Sequence, residues 1–436
     1  MISDTQYPLS KEQWNYYTYW KMTGGRIMMP MLLKFSAEID VQKLAESIQA
    51  TVKAHPFLQA NVQEINGEPF WKKSSDVCPS LIPIKRTTKN EFDNALKHLI
   101  ERKEFNPDLT KDLLFFAEIY VTKNDVYLLA AFHHIYYDGM TRNILINDII
   151  SSYNGSVIET DKELGINEGN EEIRYSNSDS FFKDEEFYME LFKPYSGTLR
   201  LSSPKNTPFF SVLRKLLLLE YLHQKPVAKT VNTYISGPVL REFCNKKKVS
   251  LNLVFLAGLC FAANKFSDSN YLFFSTETAG RKGRNIDREV GLFVRSFPVG
   301  IETDILLPPM ELLLSVKEQY YNILKNHSNY GVTNAAEKFG YKNNFNYLYQ
   351  ADTYAIESTQ GIDFDDLTFL VAGKVFKSSD AYFDIDVQIY NFYLPKNTVT
   401  DRYMVNVKYD ASKYPRSLMK QFVNAIREYI TKLLTN

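Results

Sequence analysis

The sequence predicts a mixed α/β (α+β) fold divided into two lobes, and three observations support this. The 436 residues are too many for one compact core, because single cores stop growing at roughly 250–300 residues. Strand-like and helix-like segments alternate irregularly, without a regular βαβ repeat. A polar, acidic stretch at 154–180 is predicted to be an exposed connection between the halves. We therefore expect two domains, at 1–176 and 177–436.

Hydrophobic periodicity predicts the elements of the first half. DVQKLAESIQATVKAHPFL (40–58) is typical of an amphipathic helix that Pro56 ends. DLLFFAEIYVT (112–122) and DVYLLAAFHHI (125–135) are predicted to be two buried strands, because they are short apolar runs separated by a turn-prone tripeptide. A further helix is predicted over 140–153.

The second half mixes helices and strands in the same irregular way. The predicted elements are a helix at 181–192, a strand, helix, turn and buried helix over 231–266, a strand running into a loop at 270–281, strands at 291–301 and 381–392, and a closing amphipathic helix at 417–434.

Composition and charge exclude several classes of protein. Apolar content of 44% argues against general disorder, and 51 basic against 51 acidic residues argue against a strongly basic nucleic-acid binder. The three cysteines are scattered and lack metal-ligand spacing, which indicates a reducing compartment. The N-terminus shows no secretory signal, and no apolar run is long enough for a transmembrane helix. We expect a cytoplasmic protein without a transmembrane segment.

The stretch AAFHHIYYDGMTRNIL (131–146) carries the main chemical signal. Successive side chains of a strand point to opposite faces, so only one of His133 and His134 can face a site. Asp138 and Gly139 then turn the chain, and the aspartate can cap the next helix or pair with a cation. Histidine titrates near neutrality, so a ring held in this way can accept and return a proton.

A structural or metal-binding role is the alternative interpretation of these residues. A histidine at a strand end is structural in most proteins. His134 and Asp138 have the spacing of ligands on a helix, but Gly139 and the strand pattern oppose a helix there, and no completing ligand is apparent, so no metal site is predicted. The sequence also lacks a G-x-S-x-G elbow, a phosphate-binding loop and H-E-x-x-H. The simplest chemistry is a base that helps a bound alcohol, thiol or amine attack an activated acyl group.

HHIYYDG resembles the H-H-x-x-x-D-G motif of nonribosomal peptide synthetase condensation domains, which belong to the chloramphenicol-acetyltransferase-like superfamily. Other segments are similar to further motifs of that family over nearly the whole chain: YPLSKEQWNYYTYW (7–20), AHPFLQANV (54–62), TAGRKGRNIDREVGLFVRSFPVGI (278–301), NNFNYLYQ (343–350) and FDIDVQIYN (383–391). The sequence departs from the family pattern in two places. Both arginines usual in the second segment are absent, and Arg295 stands where asparagine is usual.

The resemblance implies two chloramphenicol-acetyltransferase-like lobes arranged in a V, with a tunnel at their junction. It implies that His134 faces the tunnel, that His133 is structural, and that Asp138 forms a structural salt bridge with Arg281. It also implies that the N–H of Gly139 lies near the reacting carbonyl and could stabilise an oxyanion. Further residues expected along the substrate tunnel are Tyr137, Arg295, Ser296 and Asn346.

The implied reaction joins a donor acyl thioester to the amino group of an acceptor. Donor and acceptor carrier proteins are the expected partners, with substrates on their phosphopantetheine arms and no cofactor bound by the domain itself. We expect a monomer or a part of a larger synthetase. Whether His134 acts as general base or mainly positions the amine stays open, because part of an α-amino group is already neutral near pH 7.

Four alternatives accompany this prediction. Epimerization domains share the histidine motif but carry an E-G-H-G-R-like segment, where this sequence has TETAGR. Heterocyclization domains replace the histidines, which argues against that class. Free-standing O- or N-acyltransferases that use acyl-CoA also fit. The intact His134, Asp138 and Gly139 argue against a noncatalytic recruitment domain of the same fold, whereas Arg295 and the missing arginines favour one. If Met1 is the native start, a starter condensation domain that attaches a fatty acyl group is indicated; if it was added to an excised domain, this indication disappears.

Overall fold

The computed structural model describes most of the chain. The described residues are 7–24, 27–73, 81–197, 199–202, 227–281, 284–351, 362–368, 371, 383–393 and 399–435. Cys78 lies outside them, whereas Cys244 and Cys260 are free and buried. The mixed α/β class predicted from the sequence is confirmed.

The chain divides into two compact units. Unit 1 consists of Met1–Ser178, Ala279–Val294 and Thr353–Lys377, and unit 2 consists of Asp179–Thr278, Arg295–Asp352 and Ser378–Asn436. Two short segments from the later part of the chain therefore fold with the unit that contains the histidine pair.

Unit 1 contains two sheets. Their strands are β1 Tyr7–Pro8, β2 Met28–Ser36, β3 Asn61–Ile65, β4 Glu68–Lys72, β5 Ile84–Arg86, β6 Phe115–Val121, β7 Asp125–His133 and β12 Phe364–Asp366. The larger sheet has five strands in the order β12-β2-β7-β6-β5, and it is antiparallel except for the parallel β5–β6 pair. The smaller is antiparallel, in the order β1-β4-β3.

Five described α-helices belong to unit 1: α1 Lys11–Thr23, α2 Val41–Ala54, α3 Lys89–Lys97, α4 Gly139–Tyr153 and α5 Glu168–Ser176. The predicted helices at 40–58 and 140–153 and the two predicted strands are confirmed, with small shifts in their bounds. Short 3₁₀ turns lie at Pro56–Gln59, Leu99–Glu101, Lys103–Phe105 and His134–Tyr136.

Both faces of the five-stranded sheet are covered, which explains the uninterrupted apolar run of β7. Met31 and Leu128 pack in one cluster with Leu44 and Ile48 of α2. Leu129, one residue further along β7, packs in the cluster on the other face.

The exposed connection predicted at 154–180 is wrong in part, because α5 lies within it. Glu168, the first residue of α5, is only 1% exposed. Arg284 donates to both of its carboxylate oxygens, at 2.9 Å and 2.5 Å. A cation distant in sequence therefore allows this acidic segment to be partly buried.

Unit 2 is built on one mixed sheet of six described strands. These are β8 Ala228–Ser236, β9 Tyr271–Thr278, β10 Arg295–Glu302, β11 Phe345–Tyr349, β13 Ile385–Tyr393 and β14 Val399–Asp410. Their order is β10-β9-β11-β13-β14-β8. The β11–β13 and β11–β9 pairs are parallel, and the others are antiparallel.

The described α-helices of unit 2 are α6 Asp179–Leu191, α7 Gly237–Lys247, α8 Leu251–Phe266, α9 Pro309–Asn326, α10 Val332–Phe339 and α11 Arg416–Thr435. The predicted strand, helix, turn and buried helix over 231–266 are confirmed as β8, α7 and α8. In the part of the chain that the structure describes, no single helix is long and apolar enough to cross a membrane, although α7 and α8, which meet at a 102° bend, reach that length and composition together.

Candidate active site

The backbone around the histidine pair is fixed by hydrogen bonds on both sides. β7 ends at His133, which pairs in register with Met28 of β2. The N–H of His133 donates to the carbonyl of Leu114, and the N–H of His134 donates to the carbonyl of Ile27, both at 2.8 Å. The 3₁₀ turn follows at once, and α4 begins five residues later. The two imidazoles therefore stand at the end of a central strand.

His133 is a buried neutral histidine. Its side chain is 1% exposed, and its Nδ1 accepts a 3.1 Å hydrogen bond from the N–H of Ile135. Burial, with a smaller contribution from the neighbouring His134, lowers the pKa of His133 to about 3. The proton of the neutral ring is therefore on Nε2, which is buried and has no hydrogen-bond partner among the described residues. This ring fixes the turn and is uncharged at pH 7.

His134 is the member of the pair that keeps exposed surface. Its Nδ1 is buried, so the exposed surface belongs to other atoms of the residue. Burial lowers its pKa below the ordinary value, and the backbone of His134 and Tyr137 and the charge of Asp138 oppose part of that shift. His134 is therefore mainly neutral near pH 7 and can accept a proton.

A tyrosine from the first helix lies against His134. The ring of Tyr16 in α1 stacks on the imidazole, with the centroids 4.6 Å apart and the planes 20° from parallel. The sequence motifs did not single out this residue. The dense aromatic run WNYYTYW in the predicted first motif was the signal available for it.

The carboxylate of Asp138 has a structural role, because its hydrogen bonds are with fixed groups of the fold. The residue is 1% exposed and is the N-cap of α4. Its Oδ1 accepts from the N–H of Thr141 at 2.7 Å, and its Oδ2 accepts from the N–H of Phe293 at 3.1 Å. The predicted pairing with Arg281 is present, with Nη2 at 3.2 Å from Oδ1. The lone pairs of this carboxylate are therefore occupied by fixed donors.

Arg281 has a matching set of partners inside unit 1. Its Nη1 donates to the carbonyls of Ile286 and Glu289, at 2.8 Å and 2.7 Å. Its guanidinium also lies 4.4 Å from the centroid of the Phe293 ring. A buried ion pair is stable only when its remaining hydrogen-bonding groups are satisfied, and this pair comes close to that condition. Asp138 and Arg281 thus join the segment Ala279–Val294 to the start of α4.

Gly139 is the first residue of α4 and is half-exposed. The first N–H groups of a helix have no intrahelical acceptor, and the helix dipole places partial positive charge at this end. The backbone N–H of Gly139 is therefore suited to stabilise a developing negative charge.

The other predicted tunnel residues lie in different surroundings. Tyr137 is 1% exposed, and its ring stacks on Phe132 at 4.7 Å. Arg295 and Ser296 begin β10 of unit 2 and are half-exposed, and Arg295 donates to Asn329 at 2.9 Å.

Asn346 lies in β11 of unit 2 within a buried polar network. It accepts from Ser275 at 3.0 Å and donates to Asp386 at 2.9 Å. Burial raises the pKa of Asp386 to about 6, although its hydrogen bond to Asn346 and the charge of Lys408 work in the opposite direction. The structure thus places His133, His134, Tyr137, Asp138, Gly139 and Arg281 in unit 1, and Arg295, Ser296 and Asn346 in unit 2. Among the described residues, no three His, Cys, Asp or Glu side chains are grouped to hold a metal ion.

Sequence comparison identifies relatives that are much longer than this chain. A family model described as "Condensation domain" matches residues 3–436. Tyrocidine synthase 3 of Brevibacillus parabrevis is 25% identical over 297 residues, which are 66% of this chain and 4% of that protein. Surfactin synthase subunit 1 of Bacillus subtilis (strain 168) is 25% identical over 277 residues, 61% of this chain and 7% of that protein. The chain therefore spans only a small part of the curated relatives it matches.

Solved structures share the fold at low sequence identity. The epimerization domain from the third module of tyrocidine synthetase B has a TM-score of 0.73 and 16% identity, with 100% of this chain and 99% of that one covered. The X-domain from teicoplanin biosynthesis has a TM-score of 0.72 and 13% identity, with 100% and 96% covered. The starter condensation domain of rhizomide synthetase, solved as a point mutant in complex with C8-CoA, has a TM-score of 0.72 and 12% identity, also with 100% and 96% covered.

Proposed function

This chain belongs to the family of nonribosomal peptide synthetase condensation domains, and we propose that it joins a donor acyl thioester to the amino group of a carrier-bound aminoacyl acceptor. The proposal depends on one observation, which is that His134 and Asp138 of the motif have different roles. His134 keeps exposed surface and is neutral, whereas Asp138 is occupied by structural donors.

The proposed reaction begins when the amine nitrogen attacks the thioester carbon. The C–N bond forms, the carbonyl π electrons move to oxygen, and the nitrogen becomes positively charged. His134 accepts a proton from that nitrogen, which prevents the amine from simply leaving again. Collapse of the tetrahedral intermediate breaks the C–S bond, and the thiolate takes up the proton from the imidazolium. The products are an amide and a free thiol, so atoms and charges balance.

The first turn of α4 supports the same proposal. During the attack the carbonyl oxygen becomes negative, and a fixed N–H donor stabilises that charge without reorganisation. Gly139 carries the first such donor of α4. The acceptor amine has an ordinary pKa of about 7.7–8.0, so a fraction is neutral at pH 7 and His134 is needed after the attack as much as before it.

Carrier proteins would deliver both substrates on phosphopantetheine arms, and a fatty acyl donor is one candidate. The fold does not separate this reaction from the rival ones, because epimerization, X- and starter condensation domains all share it at 12–16% identity. Reaction products must separate them.

The test combines a panel of donor and acceptor thioesters with mass spectrometry. Donors are acetyl-, octanoyl-, myristoyl- and aminoacyl-pantetheine, and acceptors are aminoacyl-pantetheines, each also loaded on a carrier protein. We expect an amide between donor and acceptor that requires both thioesters. An inverted α-carbon in the acceptor, an ester with a small-molecule alcohol, or no product across the panel would each contradict the proposal. Those outcomes would indicate an epimerase, a free-standing acyltransferase and a recruitment domain, respectively.

A further inference from the structure

The ring that lies against His134 comes from a helix whose position is fixed independently. Helix α1 begins with a capping box, in which Ser10 accepts from the N–H of Gln13 and Gln13 accepts from the N–H of Ser10. Gln13 is fully buried, and its Oε1 also accepts from Trp71 Nε1 at 3.0 Å. Tyr17 is 3% exposed. The rotation of α1 about its axis is therefore set by buried contacts before Tyr16 is considered.

The turn that carries His134 is anchored separately. Its backbone N–H donates to Ile27, and the following turn is held by His133. These contacts fix the backbone of His134. Among the described residues, the buried Nδ1 of the ring has no hydrogen-bond partner, and the stack with Tyr16 restrains the plane of the ring. One face of the imidazole is therefore covered by a half-buried phenol ring.

We propose that Tyr16 is a positioning residue, which fixes the plane of the His134 ring, where the nitrogen that accepts the proton lies, and shields one face of the ring from water. This inference rests on the proposed function and extends it to a residue outside the histidine motif. Because Tyr16 acts through His134, its loss should lower kcat and leave KM for the acceptor nearly unchanged.

The charged groups around His134 determine how the pH profile should respond. Asp138 favours the imidazolium, but Arg281 pairs with that carboxylate. Burial disfavours the imidazolium and is the largest contribution. Removing the ring of Tyr16 admits water, which should raise the pKa of His134 toward its ordinary value of about 6.5.

Two further neighbours complete the surroundings of the ring. His133 is neutral, so it adds little charge at working pH. The backbone of Tyr137 favours the imidazolium and is unchanged by a substitution in α1. The face of an aromatic ring also attracts a cation, which works against the expected rise. The effect of burial should exceed this attraction, and the acid limb of the rate profile should move to higher pH.

The test compares Tyr16→Ala with Tyr16→Phe, with Trp14→Ala as the matched control on the exposed side of the same helix, where Trp14 is 39% exposed. We expect Tyr16→Ala to lower kcat by about ten- to a hundredfold, in the range that misplacing a catalytic group costs. The acid limb of the pH–rate profile of this variant should move to higher pH. Tyr16→Phe should retain at least half of the wild-type rate with an unshifted limb, and Trp14→Ala should match the wild type in both.

A second measurement is independent of catalysis. In protein labelled with ¹⁵N-histidine and without substrate, NMR titration should give a higher pKa for His134 in Tyr16→Ala than in the wild type or in Tyr16→Phe. If Tyr16→Ala does not fold, as judged by thermal melting, Tyr16→Leu takes its place with a smaller shift in the same direction.

Three outcomes overturn the proposal. The first is that kcat and the acid limb of the pH–rate profile both stay unchanged in Tyr16→Ala. The second is that kcat falls in this variant while the pKa of His134 does not move. The third is a loss of kcat in Tyr16→Phe that equals the loss in Tyr16→Ala. If the wild type forms no amide at all, the proposed function fails, and the NMR titration alone then decides whether Tyr16 shields His134.

Discussion

Unit 1 contains two histidine sites with different charge states near pH 7: the ring of His134 is neutral, and the ring of His55 is a cation. His55 is 1% exposed, and its two ring nitrogens lie 2.8 Å from Asp161 Oδ2 and 2.8 Å from Asp148 Oδ2. Burial alone would disfavour the imidazolium, but hydrogen bonds to the two carboxylates raise the pKa of His55 to about 9. At His134 burial lowers the pKa instead.

The two histidine sites differ in which groups the nearby carboxylates bind. Both aspartates around His55 point an oxygen at the ring, and Arg288 binds only the other oxygen of Asp148, at 2.7 Å. The carboxylate whose charge acts on His134 is that of Asp138, and it is bound by Arg281 and by backbone N–H groups. A buried histidine whose ring is bound by carboxylates, such as His55, is held as a cation and stabilises the fold. A buried histidine whose neighbouring carboxylate is bound by other groups, such as His134, stays neutral and can act as a base.

The largest expected effect is that of removing the neutral ring. His134→Ala should lower the rate of amide formation by about 10²- to 10⁴-fold, the usual contribution of a general base. The free energy of unfolding in urea should change little, because the buried Nδ1 of this side chain has no hydrogen-bond partner among the described residues. The rate of amide formation with saturating pantetheine thioesters measures the first effect, and urea unfolding measures the second.

His98→Ala is the matched control for that experiment. His98 is an exposed histidine at the end of α3, 3.0 Å from Glu101, and its removal should leave the rate unchanged. A His134→Ala variant that condenses at the wild-type rate would show that the His134 ring does not take part in catalysis.

Arg281→Met should have the next largest effect. Removing the cation leaves Asp138 buried without its partner, which should cost about 3–5 kcal/mol in the free energy of unfolding. The released carboxylate should also raise the pKa of His134, so that this site becomes more like the one at His55. Urea unfolding and histidine NMR titration measure the two effects.

An arginine of the same segment provides the comparison. Arg288 is 66% exposed, and its buried partner Asp148 also binds His55, so removing Arg288 should cost less than removing Arg281. If Arg281→Met destabilises the protein no more than Arg288→Ala does, the pairing with Arg281 does not restrain the Asp138 carboxylate.

The His55 site predicts a pH dependence of stability with a definite sign. The pKa of His55 is about 9 in the folded protein and about 6.5 in an unfolded chain, so the stabilisation is complete below pH 6.5 and is lost as the pH rises through about 9. A shift of this size corresponds to about 3 kcal/mol. Urea unfolding between pH 6 and pH 10 measures it.

Asp161→Asn sharpens this prediction. With one carboxylate left at the ring, the pKa of His55 in the folded protein should fall, so the loss of stability should still begin near pH 6.5 but should end at a lower pH and be smaller. His98→Ala should retain the wild-type pH dependence. A wild-type curve that is flat from pH 6.5 to 9 would mean that His55 is not held as an imidazolium.

The backbone around the candidate active site could be predicted from the sequence, because it depends on short-range rules. The apolar run before His133 predicts a buried strand, and Asp138-Gly139 predicts a turn and a helix cap. All of these are present. Alternation along a strand predicts that the two histidines differ in exposure; they do, but β7 ends at His133, so the difference arises where the strand passes into the 3₁₀ turn, with His134 keeping exposed surface.

The long-range contacts could not be derived in this way. Asp138 and Arg281 are 143 residues apart, and only the family resemblance suggested that they pair. Several aromatic residues crowd α1, and nothing in their spacing indicates that Tyr16 is the one to reach His134. The acidic composition of α5 is typical of a solvated connection, but the partner of Glu168 is Arg284, in a distant segment. Such contacts depend on how the whole unit packs.

The smallest expected effect concerns how the neutral ring is held. Ser10→Ala removes the cap of α1 and leaves the buried N–H of Gln13 without its acceptor, which should cost about 1 kcal/mol of stability. Thr88→Ala removes an equivalent capping box from α3, which is exposed at that point, and should cost a similar amount. Urea unfolding gives the stability of each variant, and the thioester assay gives its rate. Only Ser10→Ala should also lower the rate of amide formation, and by less than Tyr16→Ala, since only α1 carries a ring against His134. Equal rates in the two capping variants would mean that His134, like His55, is held by its own surroundings without help from α1.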